Sequence, residues 1–223
     1  MRVKSEKVHL TLEDIRKWEV PHPSSPQTDR NPGIHESEIV RNIALRGGVL
    51  KPQKIRVGRR GEEWVEEERG LDPVLLAVGL AWECWAAGLY PEMLWQPAEG
   101  ECDQVYMNMD GLSYTEDGEL VVEEFKFTRK SSEVNKEPRV VAGEWMWMAQ
   151  VKNYCKAVGA LRARLHVLYV NGNYRFSEEG GGPQYCRYEL EFTQQEIDDN
   201  WAVMGRARER MAEEKKGVEV KDD

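Results

Sequence analysis

Hydrophobic and polar positions alternate in two ways along the chain, and each predicts a different kind of element. Apolar residues at helical spacing predict helices, the clearest of which has Asp72 as its cap, Pro73 at its first position and Gly88 past its end. A capping box, Thr193-Gln194-Gln195-Glu196, opens the last helix. The predicted helices are a segment from Ser37 to the Gly47-Gly48 pair, 73–87, about 142–158, and Thr193 to about Lys216.

Short runs of β-branched and aromatic residues between these helices predict strands. They fall around 93–96, 102–114 and 119–128, and later around 164–170 and 185–192. This order indicates an α/β domain with a mixed central β-sheet flanked by helices. We expect residues 35–223 to form this single domain. Residues 1–34 are expected to be an N-terminal extension and linker, with Thr11 capping a short amphipathic piece and proline and serine frequent over 21–33.

The strand predicted at 119–128 carries charged residues in an otherwise apolar pattern. Period-2 alternation sorts its side chains onto two faces, Val121, Glu123, Phe125 and Phe127 on one and Leu120, Val122, Glu124 and Lys126 on the other. A carboxylate and an ammonium therefore follow two aliphatic residues on the second face. A cross-strand salt bridge on a solvated face would explain them without any function.

The turn before this strand suggests a second interpretation. Glu116-Asp117-Gly118 suits a three-residue hairpin loop with glycine at the left-handed position. If Thr115 pairs with Glu119, Asp110 faces Glu124, with β-carbons about 4.5–5.5 Å apart. Two carboxylates this close repel each other unless a cation lies between them, and Mg²⁺ is commonly held by one or two carboxylates. A four-residue loop would place Glu123 there instead.

Lys126 lies on the same face as Glu124. An ammonium beside a metal ion suits a reaction that develops negative charge, such as attack on a phosphodiester.

Composition narrows the class of protein. The 223 residues are 40% hydrophobic, the start has no apolar signal-peptide core, and the longest apolar stretch is broken by Glu83, so we expect a soluble cytoplasmic protein. The net charge of -9 argues against holding nucleic acid by overall charge. Local basic clusters remain: Lys54, Arg56, Arg59 and Arg60, and Arg129, Lys130, Lys136 and Arg139.

Asp110-Gly111 followed by Glu124-Phe125-Lys126 resembles the core motif of the PD-(D/E)XK nuclease superfamily. Gly79 and Glu83, one turn apart on the preceding helix, look like the GxxxE helix of RecB-like and lambda-exonuclease-like members. Gln150 and Tyr154, four residues apart on the following helix, resemble the QxxxY signature of the RecB-like branch. In order, these motifs span residues 79–154.

The resemblance implies a restriction-endonuclease-like core and a Mg²⁺- or Mn²⁺-dependent deoxyribonuclease. Glu83, Asp110 and Glu124 would bind the metal together with the Phe125 carbonyl. Lys126 would orient or activate the attacking water and stabilise the phosphorane. Gln150 and Tyr154 would hold the phosphate or position the water.

The segment 32–37, which contains His35 and Ser37, resembles an N-terminal region that helps contact DNA in lambda-exonuclease-like enzymes. His35 or Ser37 near a DNA end is one interpretation, and a surface histidine with a serine helix cap is the other. Further DNA contacts are expected from Arg56, Arg59, Arg60, Arg129, Lys130 and Arg139.

The cysteines bear on the cofactor. One RecB-like group binds an iron–sulfur cluster through one upstream and three downstream cysteines. Cys84, Cys102, Cys155 and Cys186 do not follow that arrangement, so no cluster is expected. Cys84 and Cys155 lie in apolar helical patterns and are expected to be buried and reduced.

The leading hypothesis is an exonuclease that acts on DNA ends in recombination, repair or phage DNA metabolism, in a bacterial or phage-infected cell. An endonuclease or flap nuclease of the same fold is the first alternative. The second is a RecB-like domain that binds nucleic acid or a partner without cutting. DNA is the expected substrate and no membrane is involved. A homo-oligomer or a recombination partner protein is left open.

Overall fold

The structure, a computed structural model, describes residues 1–8, 33–47, 73–131, 141–170 and 183–219. Its helices are α1 (Glu36–Arg46), α2 (Pro73–Ala87), α3 (Trp145–Val158) and α4 (Gln194–Glu219). Its strands are β1 (Arg2–Val8), β2 (Ile34–His35), β3 (Leu94–Trp95), β4 (Gly100–Cys102), β5 (Val105–Met107), β6 (Gly111–Tyr114), β7 (Leu120–Thr128), β8 (Arg162–Tyr169) and β9 (Gln184–Glu191).

The central sheet has the strand order β1-β9-β8-β7-β6-β3. Strands β7 and β8 run parallel and the other neighbours run antiparallel, so the predicted mixed sheet is confirmed. A second sheet has the order β2-β5-β4, with β2 parallel to β5. Of the helices in the described ranges, none is both long and apolar enough to cross a bilayer.

Two sequence predictions about strands are corrected. The single strand predicted over 102–114 is interrupted, because Asp103 and Gln104 take positive φ angles of 48° and 63° and turn the chain between β4 and β5. Strand β1 pairs with β9 in the central sheet, so residues 2–8 belong to the domain and not to the N-terminal extension predicted over residues 1–34. Its sequence, RVKSEKV, is rich in charge, as is common for strands at a sheet edge.

Strand β7 is covered on both faces, which makes its centre the core of the molecule. Val122 packs with α3 in one hydrophobic cluster, and Phe125 packs with α2 in another. Residues 121–125 are consequently all buried, and Glu124 is 0% exposed. The interpretation of Glu124 as a charge on a solvated face is therefore wrong.

The predicted hairpin register is confirmed. Gly111 pairs with Glu123, and the Thr115 N–H donates to the Glu119 carbonyl at 2.9 Å. Gly118 has a φ of 83°, the left-handed conformation that the loop requires. Continued by one step, this register places Asp110 opposite Glu124, and the four-residue alternative is excluded.

Three helices pack together beside the central sheet. Ile39 and Val40 of α1, Ala149 of α3 and Met204 of α4 share one buried cluster. The predicted capping box starts α4: the Thr193 N–H donates to Glu196 Oε2 at 2.9 Å and the Glu196 N–H to Thr193 Oγ1 at 3.2 Å. The cluster shared by the three helices fixes the first turn of α1 against the middle of α3.

Two glycines of the recognised motifs should respond oppositely to alanine. A Cβ on Gly111 would lie 2.5 Å from Met93 Sδ and 3.3 Å from Glu123 Cβ, so Gly111→Ala should lower the free energy of unfolding by about 1–3 kcal/mol. At Gly79 a Cβ would meet no described atom within 4 Å, so Gly79→Ala, inside α2, should raise it by up to about 1 kcal/mol. Urea unfolding measures both, and equal effects would contradict this account.

Candidate functional site

Lys126 joins the two predicted motifs through its hydrogen bonds. Its ammonium donates to Glu124 Oε1 on the same strand and to Gln150 Oε1 on α3, the latter at 2.8 Å. Gln150 Nε2 in turn donates to the Tyr154 hydroxyl at 2.7 Å. The motif on β7 and the motif on α3 therefore form one continuous chain of polar contacts.

Asp110, the residue directly before β6, is held by the backbone of β7. Its Oδ2 accepts the Phe125 N–H at 2.7 Å. Burial, together with the charge of Glu124, raises the pKa of Asp110 well above its ordinary value. Burial also raises the pKa of Glu124, against the opposing effect of the Lys126 charge. Two facing carboxylates in an apolar environment thus resist being ionised together.

Lys126 remains a cation in this environment. Burial alone would lower the pKa of Lys126, but the charges of Glu124 and Asp110 outweigh it, and the net shift is upward. The site therefore contains one partly buried ammonium close to several acids that are buried or partly buried.

Glu83 reaches the same region from α2. The indole of Trp95 and the side-chain amide of Gln96 both donate to Glu83 Oε1, each at 3.1 Å. The Gln96 N–H also donates to the Asp110 carbonyl at 2.8 Å. Gln96, with a φ of 45°, thereby ties Glu83 to the strand end that carries Asp110.

One oxygen of Glu124 lacks a donor among the described residues. Glu124 Oε2 is buried and accepts no hydrogen bond there while the facing Asp110 is ionised, and only a protonated Asp110 carboxyl could donate to it. Buried polar atoms are nearly always satisfied, so such an atom calls for an explanation. A hard divalent cation with a preference for oxygen ligands fits this oxygen and the acids around it.

The acidic side chains that the structure describes do not form a complete metal-binding group. Among the described residues, no three His, Cys, Asp or Glu side chains form a group that could hold a metal ion. Their oxygens contact protein donors instead: Lys126 on Glu124, the Phe125 N–H on Asp110, and Trp95 and Gln96 on Glu83. A cation would have to exchange with these donors or bind partly through its own waters.

The neighbouring Glu123 provides an internal contrast. It points to the opposite face of β7, where it accepts from Ser113 Oγ at 2.5 Å and from Arg164 at 2.9 Å, and lies 2.7 Å from His166 Nε2. Burial would raise the pKa of Glu123, but these partners lower it overall. Both Glu123 oxygens have protein partners, whereas Glu124 keeps one oxygen unpaired.

His166 belongs to this second network. It is 0% exposed, and burial lowers its pKa, which favours the neutral imidazole. Its Nδ1 lies 2.5 Å from the Tyr185 hydroxyl, which lies 2.6 Å from that of Tyr90. A neutral ring with Nε2–H donating to Glu123 leaves Nδ1 to accept from Tyr185.

The structure describes only some of the residues that are predicted to contact DNA. His35 is buried beside Tyr106, with its Nδ1 3.7 Å from Glu99 Oε1, whereas Ser37 is exposed. Arg129 is exposed just past β7, and so is Lys130, whose ammonium lies 2.5 Å from Glu144. Arg56, Arg59, Arg60 and Arg139 lie outside the described residues. These DNA contacts remain predictions.

Sequence reasoning missed Glu36, the first residue of α1. This acid is 2% exposed and accepts a hydrogen bond from Asn153 Nδ2 of α3 at 2.9 Å. Burial raises its pKa to about 7, and the charge of Lys126 opposes that shift. A signal was present, because Glu36 falls in line with the apolar stripe of Ile39, Val40 and Ala44 on the buried side of the helix.

No protein-family model matches the chain, and no curated protein matches it. Among solved structures, it is similar to the crystal structure of a protein designated SSO0001, at 14% sequence identity and a TM-score of 0.36. The likeness covers 61% of this chain and 56% of that one, so the match spans little more than half of the SSO0001 chain.

The raised pKa of Glu83 predicts a specific pH dependence of stability. Burial and the charge of Asp110 raise that pKa from 4.5 to about 7. The folded chain therefore holds this proton across a window in which the unfolded chain has lost it. The contribution of Glu83 to the free energy of unfolding thus falls as the pH rises from 4.5 to about 7.

Glu83→Gln should make the decline of unfolding free energy between pH 5 and 7 shallower, by up to about 1.4 kcal/mol per pH unit. Urea unfolding in buffer with a chelator measures this slope. Glu116→Gln, on the exposed hairpin loop, is the control and should leave the slope unchanged. An unchanged slope in Glu83→Gln would contradict the placement of this acid.

Proposed function

We propose that the protein is a Mg²⁺- or Mn²⁺-dependent deoxyribonuclease of the RecB-like PD-(D/E)XK type, with a restriction-endonuclease-like core. The observation that carries this proposal is the buried, half-satisfied carboxylate of Glu124. It lies opposite Asp110 and in contact with Lys126, which also contacts Gln150. All four residues belong to motifs that the sequence shares with this superfamily.

The oxygen donors of the site suit a divalent cation in their chemistry, although it would have to displace the protein donors that these oxygens now contact or bind through its own waters. Glu83, Asp110 and Glu124, with the Phe125 carbonyl, are the groups that would hold it. When bound, the cation would polarise a phosphate oxygen and lower the pKa of a bound water. Carboxylate and carbonyl oxygens are the ligands that Mg²⁺ and Mn²⁺ prefer.

Lys126 would supply positive charge where the pentavalent phosphorane becomes more negative than the substrate. Its protonated state is favoured by the acids around it, and its hydrogen bonds fix its direction. A preorganised charge of this kind stabilises a transition state without reorganising when the reaction occurs.

Gln150 and Tyr154 extend the chain of hydrogen bonds that begins at Lys126. The Gln150 oxygen accepts from Lys126 and its amide donates to the Tyr154 oxygen. Tyr154 therefore keeps its own O–H hydrogen, which can be donated to a phosphate oxygen or a water. Burial, together with the charges of Glu124 and Glu36, raises the pKa of Tyr154, so the hydroxyl remains a donor.

We propose cleavage from DNA ends, in recombination, repair or phage DNA metabolism, as the main activity. Internal or flap cleavage by the same residues is the alternative, because the metal and lysine chemistry is common to all three. With a net charge of -9, the chain must hold DNA through local basic groups such as Arg129.

Lys126→Met tests the chemistry separately from binding. The substitution keeps most of the side-chain volume and removes the charge, so DNA affinity should stay near wild type while single-turnover cleavage slows by about 10²–10³-fold. End-labelled linear DNA and closed circular DNA, with Mg²⁺, Mn²⁺ or chelator, are the substrates. Cutting of linear DNA alone identifies an exonuclease, and cutting of circles an endonuclease.

The matched control is Lys152→Met, because Lys152 lies on α3 but places its ammonium over the Phe192 ring, 5.5 Å from the centroid. This variant should cleave at the wild-type rate. Wild-type cleavage by Lys126→Met would reject the role of Lys126. DNA binding by the wild type without cleavage under any metal condition would indicate a non-cleaving binding domain.

A further inference from the structure

The pairing of β2 with β5 places Glu36 near the site. His35, the last residue of β2, is in register with Tyr106 of β5, and Glu36 opens α1 directly after it. Strand β5 then leads within a few residues to Asp110. Glu36 and Asp110, which are distant in sequence, thus follow two strands that run side by side.

Three helices hold the Glu36 side chain. Asn153 of α3 donates to Glu36 Oε1, and its own oxygen accepts from Asn200 of α4 at 2.7 Å. Asn200 is fixed further by a 3.1 Å hydrogen bond to the Ala149 carbonyl. Asn153 is 0% exposed, so this relay lies inside the protein and sets the direction of the Glu36 carboxyl.

Stability alone gives no reason for an acid at this position. Glu36 continues an apolar stripe, where a residue such as leucine or methionine would pack without a desolvation penalty. A buried carboxyl carries a desolvation penalty when it is charged. A bound cation would offset the part of this penalty that the hydrogen bond from Asn153 leaves.

The charge of Glu36 acts on the site already described. Asn153, which donates to Glu36, lies one helical turn after Gln150, which contacts Lys126, so Glu36 and Lys126 contact the same stretch of α3. The charge of Glu36 favours the protonated form of Lys126 accordingly. Glu36, Glu83, Asp110 and Glu124 set four acids against the one ammonium of Lys126. When all are ionised, one divalent cation offsets only part of the excess negative charge.

We propose that Glu36 is a fourth acid of the metal site, which binds the divalent cation together with Glu124, directly or through a cation-bound water. This inference rests on the proposed function. The buried Glu124 oxygen, which accepts no hydrogen bond from any residue in the described ranges, is the independent sign that a ligand belongs there. The acid extends the site beyond the three motifs, because α1 carries none of them.

Calorimetric titration of Mg²⁺ and of Mn²⁺ into the full chain, without DNA, tests the proposal. Glu36→Gln keeps the size of the side chain and an oxygen for Asn153, and should weaken cation affinity by about 10–100-fold. Its melting temperature in chelator should equal or exceed that of the wild type, because a like charge is removed. The control is Glu38→Gln, an exposed position on the first turn of α1, which should bind as the wild type does.

Glu36→Met, whose apolar side chain suits the stripe, is a second variant in case the glutamine variant does not fold. Wild-type cation affinity in either folded variant, with affinity lost in Glu124→Gln, would overturn this inference and leave the proposed function standing. Absence of cation binding by the wild type itself would overturn both. Weakened binding in Glu36→Gln but not in Glu38→Gln supports the fourth acid.

Discussion

Lys126 brings a positive charge into a part of the protein where the acids would otherwise repel one another. It reaches that position because β7 is covered on both faces, which buries Glu124 beside it. Within the sheet, the ammonium donates to the Glu124 carboxylate. Helix α3 completes its coordination with Gln150, so the packing of sheet against helix and the electrostatics of the site depend on each other.

The two adjacent glutamates of β7, Glu123 and Glu124, have different surroundings. Glu123 faces α2 and meets Ser113, His166 and Arg164, which satisfy both of its oxygens. Glu124 faces α3, and one of its oxygens is left without a donor in the described structure. One carboxylate of the strand therefore ties neighbouring strands together, and the next is the one that we propose binds a cation. A register slip of one residue would exchange the two.

Short-range rules predicted the parts of the site that lie within one element or one hairpin. A three-residue loop ending in Gly118 allows one register, and four-residue spacing sets Gln150 beside Tyr154 on α3. Contacts between distant segments were not predictable in this way. Asn153 and Glu36 are 117 positions apart, and only the packing of α1 on α3 brings them together. The strand β1 lacked an apolar alternation because it lies at a sheet edge.

The place of β1 in the sheet has a consequence for biosynthesis. Arg2 pairs with Glu191 and Val8 with Tyr185, so every ladder partner of β1 is translated long after it. During that interval its backbone N–H and C=O groups can hydrogen-bond only to water or to a transient partner. Closure of this edge is therefore a late event on the ribosome. The charges of Lys4 and Glu6 help a waiting strand to resist aggregation.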